Sequence, residues 1–140
     1  MAIKPILQAL LLAERVYFDG ESGKGVIAGT FDSLSPSVFP NEFRQVSYAY
    51  LSLTEVHGKV DLLLRYVDLK TNEILMQYGP VQVSANDPLS SVELRIGIPF
   101  LPMPHEGVFA LEVYAADELI GSHRVTVFLA EKEENSDEHD

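Results

Sequence analysis

The stretch HEGVFALEVYAADELIGSHRV, residues 105–125, decides the fold class. Phe109, Leu111 and Val113 fall on one face of an extended segment that opens at Gly107, with Glu112 opposite. The polar run around Asp117 follows, and Val125, Val127 and Leu129 then alternate with Arg124 and Thr126. A period of two on both sides of a short polar break predicts an antiparallel hairpin with one buried face.

The same period extends outward to eight predicted strands: Ile6–Phe18, Lys24–Leu34, Gln45–Thr54, Lys59–Leu69, Glu73–Ser84, Ser91–Ile98, Gly107–Ala116 and Leu119–Ala130. In the fourth, Val60, Leu62, Leu64 and Tyr66 oppose Asp61 and Arg65; in the sixth, Val92, Leu94, Ile96 and Ile98 oppose Glu93 and Arg95. One apolar face per strand is what two antiparallel layers around a common core require. Pro80 inside the fifth strand marks a bulge or a sheet edge. Pro36 and Pro40 break regular structure over 35–43, which reads as a crossover between layers. The first segment, ILQALLLAERVYFD, is ambiguous by periodicity alone. Its direct run into VYFD favours strand over an amphipathic helix.

The totals bound what such a domain can do. At 140 residues the chain suits one domain, able to bury roughly 68% of its unfolded surface without staples. The absence of cysteine excludes disulfides, zinc–thiolate sites and a cysteine nucleophile, and it fits a reducing compartment. The net charge of −11 opposes binding to nucleic acid and to anionic membrane surfaces. EKEENSDEHD, residues 131–140, holds six acids against one lysine and no large apolar residue, so it is expected to be a disordered, solubilising tail after a domain at 1–130. ILQALLLA is too short to span a bilayer, and no small-residue cleavage site follows it. The expected location is therefore cytoplasmic.

No motif for chemistry emerges. His57, His105, His123 and His139 are too far apart in sequence for a local metal motif, with His123 expected part-buried on the last strand. Asp32, Asp68, Asp87 and Asp117 are read as turn residues first, because short acids favour turns, and none belongs to a dense calcium-loop run. DGESGKG lacks the Gly-Lys-Ser/Thr ending of a phosphate loop and reads as a hairpin tip. No nucleophile elbow is present. No catalytic, cofactor-binding or metal-ligating residue is therefore expected.

With the strands placed, the last third resembles an immunoglobulin-like β-sandwich, the sixth to eighth strands standing as E, F and G and the fourth and fifth as C and C′. More narrowly, about residues 5–130 resemble a family of small bacterial proteins of unknown function. The resemblance rests on the opening strand ALLLAERVYFD, a Gly-Lys turn before GVIAGTFDSL, the Phe39-Pro40 crossover, and Gly107, Phe109 and Gly121 in the closing hairpin. It implies an all-β, immunoglobulin-like antiparallel sandwich of about eight strands and carries no catalytic residues over. Phe109 stands where many such domains place a tyrosine whose hydroxyl tethers the chain. The ring fills the same space, but a hydrogen bond worth on the order of 1 kcal/mol is lost.

One positive signal remains. Tyr48 and Tyr50 alternate with Ala49, Leu51 and Leu53, so both faces of the third strand carry apolar bulk. Leu63 and Val67 likewise fall on the charged face of the fourth strand, and Tyr114 on that of the seventh. These five residues are the candidate interaction surface, unless the N-terminal segment covers them. The expected role is a protein-interaction or self-association module. The alternatives are a small-ligand binder or enzyme using the loop carboxylates with His105, or a component of a larger assembly.

Overall fold

The computed structural model describes residues 3–131. Among these the chain is all-β, with no helix. In chain order the strands are β1 (Ile6–Phe18), β2 (Gly25–Thr30), β3 (Ser33–Leu34), β4 (Asn41–Phe43), β5 (Ser47–Thr54), β6 (Gly58–Asp68), β7 (Glu73–Ala85), β8 (Val92–Ile98), β9 (Leu101–Met103), β10 (Gly107–Ala115) and β11 (Glu118–Val127). One sheet runs β2-β1-β5-β8, a second β3-β11-β10-β6-β7, and β4 pairs β9 in a small ribbon. Every pair is antiparallel except β3 with β11.

The two large sheets enclose one core. Leu12, Leu51 and Leu53 from the first sheet join Leu62, Leu64, Tyr66, Phe109, Leu111, Val113 and Val125 from the second. These are the inward rows that the period of two predicts, and each is fully buried. The ambiguous first segment is a strand.

Eleven strands replace the expected eight, and the additions are short. The segment expected at Lys24–Leu34 divides into β2 and β3, which belong to different sheets. Residues 35–43, expected to be irregular, cross between the layers but contain β4, which pairs with the unforeseen β9. The last strand ends at Val127 rather than Ala130, so Leu129 is not a core residue but lies exposed. Its amide donates to Glu106 Oε2 at 2.7 Å. The acidic tail expected at 131–140 lies, apart from Glu131, outside the described residues.

Turn chemistry sets the registers. Ala116 and Asp117, at φ of 51° and 63°, form the two-residue connection between paired Ala115 and Glu118. Left-handed values at both central positions suit the twist of a tight hairpin. Pro80 lies in β7, an edge strand, where the register with β6 shifts between Leu62 and Leu64. Both features expected of a strand proline are thus present.

β1 does not stay in the plane of its sheet. Leu11 pairs Tyr50 and Phe18 pairs Gly25, so a straight β1 would hold Gly25 roughly 23 Å from Tyr50 along the strand. Instead a Cβ on Gly25 would lie 3.5 Å from the Tyr50 ring and 3.2 Å from Glu93 Oε2. The far half of the β1–β2 hairpin therefore folds back over the outer face of β5 and β8. The fold-back lies at Glu14 and Gly29, a position missing from the ladder between Ala13–Thr30 and Arg15–Ala28. Gly29 has φ of +72°, a conformation costly for any residue with a Cβ, and the Glu14 side chain packs onto it.

Candidate functional site

The five residues expected to form one interaction surface lie on the outer faces of two different sheets. Tyr48 and Tyr50 are on β5, in the four-stranded sheet; Leu63 and Val67 on β6 and Tyr114 on β10, in the five-stranded sheet. Two of the five are buried: Tyr50 is 8% exposed and Val67 6%. The expectation that all five share an open surface is therefore corrected.

Tyr50 is buried because the chain's own hairpin covers it. Ala13, Val16 and Tyr50 form a small cluster apart from the main core, with Ala9, Ile27 and Tyr48 packed against it. Arg95 Nη1 donates to the Val16 carbonyl at 3.0 Å and its guanidinium lies 5.1 Å from the Tyr48 ring centre. The Tyr50 hydroxyl donates to Glu93. Burial, reinforced by that carboxylate, pushes the Tyr50 phenol up to about 12. The hairpin tip is internally tied: Asp19 Oδ2 accepts from the Ser22 amide at 2.7 Å and its hydroxyl at 2.8 Å. DGESGKG is thus a hairpin tip, as its composition implied. Burying Val16 and part of Ile27, plus one hydrogen bond to a charged donor, stabilises the fold-back by on the order of 3 kcal/mol.

The outer face of the five-stranded sheet is different. Leu63 and Tyr114, both half-buried, line a groove of about 430 Å³ with Arg65, Pro80, Asp61 and Asp117. The strand pairing sets Tyr114 directly opposite Leu63, and Glu112 opposite Arg65. The Arg65 guanidinium sits 4.6 Å from the Tyr114 ring centre and its Nε donates to Gln77 Oε1 at 3.2 Å. The Tyr114 hydroxyl donates to Glu112 Oε1 at 2.7 Å, and this bond, with some burial, raises the phenol above its ordinary value. The groove thus has an aromatic wall held by hydrogen bonds, a guanidinium stacked on it, and two carboxylates at the rim. The bulge at Gly79–Pro80 and the 116–117 turn form its ends.

The loop carboxylates do not converge. The strand registers place Asp32, Asp68 and His105 toward one end of the layers and Asp87 and Asp117 toward the other. Among the described residues no group of three or more histidine or acidic side chains could hold a metal ion. One pair does form. His105 Nε2 lies 2.6 Å from Asp68 Oδ2, and Nδ1 lies 2.5 Å from the Glu106 carbonyl oxygen. Both partners are acceptors, so the geometry favours the doubly protonated imidazole. The Glu106 carbonyl and then Asp68 raise the His105 pKa above its ordinary value. Asp68 is buried, which by itself would raise its pKa; the Lys70 amide, at 2.9 Å from Oδ1, and His105 outweigh that and lower it.

The pair explains the phenylalanine in the closing hairpin. Phe109 pairs with Asp68 across β10 and β6, stacks on Tyr66 with ring centres 5.7 Å apart, and lies 5.4 Å from the His105 ring. A tether therefore exists at the start of β10, made by His105 and Asp68 rather than by a tyrosine hydroxyl. Both imidazole nitrogens of His105 lie within hydrogen-bond distance of acceptors. Of the other histidines, His123 is half-buried with Nε2 3.1 Å from the Phe31 carbonyl oxygen, and His57 lies 3.3 Å from Glu55. His139 falls outside the described residues.

Sequence reasoning missed the fold-back and the tether. Gly29 was the available signal for the first. The second had none, because Asp68 and His105 meet only through the β6–β10 pairing. No helix among the described residues is long and apolar enough to cross a membrane. Residues 8–128 match the model of a family of unknown function (DUF6941), and the chain belongs to that family. No curated protein matches the chain.

Proposed function

From membership of a family with no assigned activity, we propose that this chain is a non-enzymatic interaction module of the bacterial cytoplasm. It binds a protein partner or a second copy through the outer face of the five-stranded sheet. One observation carries the reading. Tyr50 on one outer face is buried beneath the chain's own hairpin, with Tyr48 packed against the same cluster, whereas Leu63 and Tyr114 on the other line an open groove. Stacking of Arg65 on Tyr114 pre-orders two side chains that otherwise lose rotamer freedom on binding. The net charge of −11 favours a partner with a basic or neutral surface over nucleic acid.

The strand orders support an immunoglobulin-like reading of the connectivity. β5 and β8 stand where B and E stand, β6, β10 and β11 where C, F and G stand, and β7 in the place of C′. The departure is at the edges of the first sheet, where β2 flanks β1 and, among the described residues, no D strand flanks β8. The competing reading, an enzyme or small-ligand site on loop carboxylates, is reduced to Asp68 and His105, whose hydrogen bonds are spent on each other and on backbone.

The test is light scattering over a concentration series, with affinity capture from source lysate, for the wild type and Leu63→Glu. The proposal expects association or specific capture by the wild type and its loss in a folded Leu63→Glu protein. A strictly monomeric wild type that captures nothing overturns it.

A further inference from the structure

We propose that the distal half of the β1–β2 hairpin, residues 15–28, is an exchangeable arm, able to leave its own sheet and take the same seat on a second copy. The seat is built from elements remote from the arm in the chain. Tyr50 comes from β5 and Glu93 and Arg95 from β8, yet all three engage it. Arg95 holds the Val16 carbonyl at 3.0 Å, and the Tyr50 ring and Glu93 carboxylate close on Gly25. The cluster beneath the arm is separate from the main core. The arm can lift without opening the space between the sheets.

The pivot is also on hand. The β1–β2 ladder is interrupted at Glu14 and Gly29, and continues on both sides of them. Gly29 holds a φ of +72°, which the ribbon needs only while it folds back. Straightened there, the hairpin becomes an extended ribbon at the open edge of the four-stranded sheet. The occupant of a vacated seat follows from complementarity. The seat already fits this hairpin, residue by residue, and a second copy carries the identical hairpin. Reciprocal exchange reforms every arm contact in both copies and closes as a two-fold dimer, the general route of domain swapping. The face involved is not the groove of Leu63 and Tyr114, so the inference stands apart from the interaction reading above.

The cysteine-free sequence makes the test direct. One preparation carries Gly25→Cys and another Glu93→Cys; the two are mixed at high concentration, incubated and mildly oxidised. Exchange predicts a 25–93 intermolecular disulfide in excess over 25–25 and 93–93 species. Gly29→Val supplies an independent arm, because a β-branched residue disfavours positive φ and a Cβ there would meet Glu14 Oε1 at 2.7 Å. It should raise the dimerisation constant by about a hundredfold, since roughly 1.4 kcal/mol of strain is relieved in each of the two copies and each such amount is a factor of ten. The proposal is overturned if folded cysteine variants give no excess of the 25–93 species. It is equally overturned if Gly29→Val stays monomeric while the amides of Val16 and Ile27 exchange as slowly as those of Phe109 and Leu111. Leu63→Glu should leave the exchange unchanged, which separates failure here from failure of the groove reading.

Discussion

Replacing His105 by alanine isolates the tether that takes the place of the tyrosine corner. The lost interaction is a charge-assisted hydrogen bond of 2.6 Å to a carboxylate whose side chain is 3% exposed. Hydrogen bonds to charged groups contribute about 1.5–3 kcal/mol. The imidazole is itself 38% exposed, so water can enter the space it leaves and solvate Asp68 Oδ2. That discounts the loss to about 1–2 kcal/mol, a fall in Tm of about 3–8 °C for a domain of this size. The pH dependence identifies the cause. The pKa of His105 is raised above 6.5 in the folded state, so its contribution is complete below 6.5 and fades as pH rises through the folded value. The pKa of Asp68 is lowered below 3.8, so its contribution is complete above 3.8 and is lost as pH falls through the folded value. The difference in Tm between wild type and His105→Ala should therefore be greatest at about pH 5–6 and smaller at about pH 9. Thermal unfolding followed by circular dichroism in buffers of equal ionic strength measures it. A difference that is constant across that range, or absent at about pH 5.5, refutes the charged tether.

Other substitutions probe the core and the fold-back. The Tyr66 hydroxyl is buried without a hydrogen-bond partner, so Tyr66→Phe should be neutral or stabilising by up to about 1 kcal/mol in urea unfolding. Phe109→Tyr should destabilise by about 1–3 kcal/mol rather than restore a tether, because Phe109 is fully buried against Tyr66 and His105 and the added hydroxyl must be desolvated there. A Cβ on Gly121 would overlap Leu7 Cδ2, so Gly121→Ala should cost about 1–2 kcal/mol. Combining it with Leu7→Ala should cost less than the sum of the two single changes, which a double-mutant cycle reads directly.

The period of two and the turn residues were enough to place the long strands other than β1, whose direct run into VYFD decided it, because alternation is a local property of a half-buried strand. The ends of β1 and β10 and the bulge at Pro80 could be read in the same way. Short strands could not. β3, β4 and β9 have two or three residues, too few for a period, and exist because a neighbouring strand offers backbone partners.

The candidate surface shows the division most clearly. Sequence alone determined which residues share a face, grouping Tyr48 with Tyr50 against Ala49, Leu51 and Leu53, and Leu63 and Val67 with the charged residues of their strand, since parity along a strand fixes the face. It could not determine what lies over each face, because cover is supplied by segments distant in the chain. Tertiary structure decided that the β1–β2 hairpin turns at Gly29 and buries Tyr50, while Leu63 and Tyr114 keep an open groove. It likewise brought His105 to Asp68, 37 residues apart, and gave Phe109 a tether its own side chain cannot make.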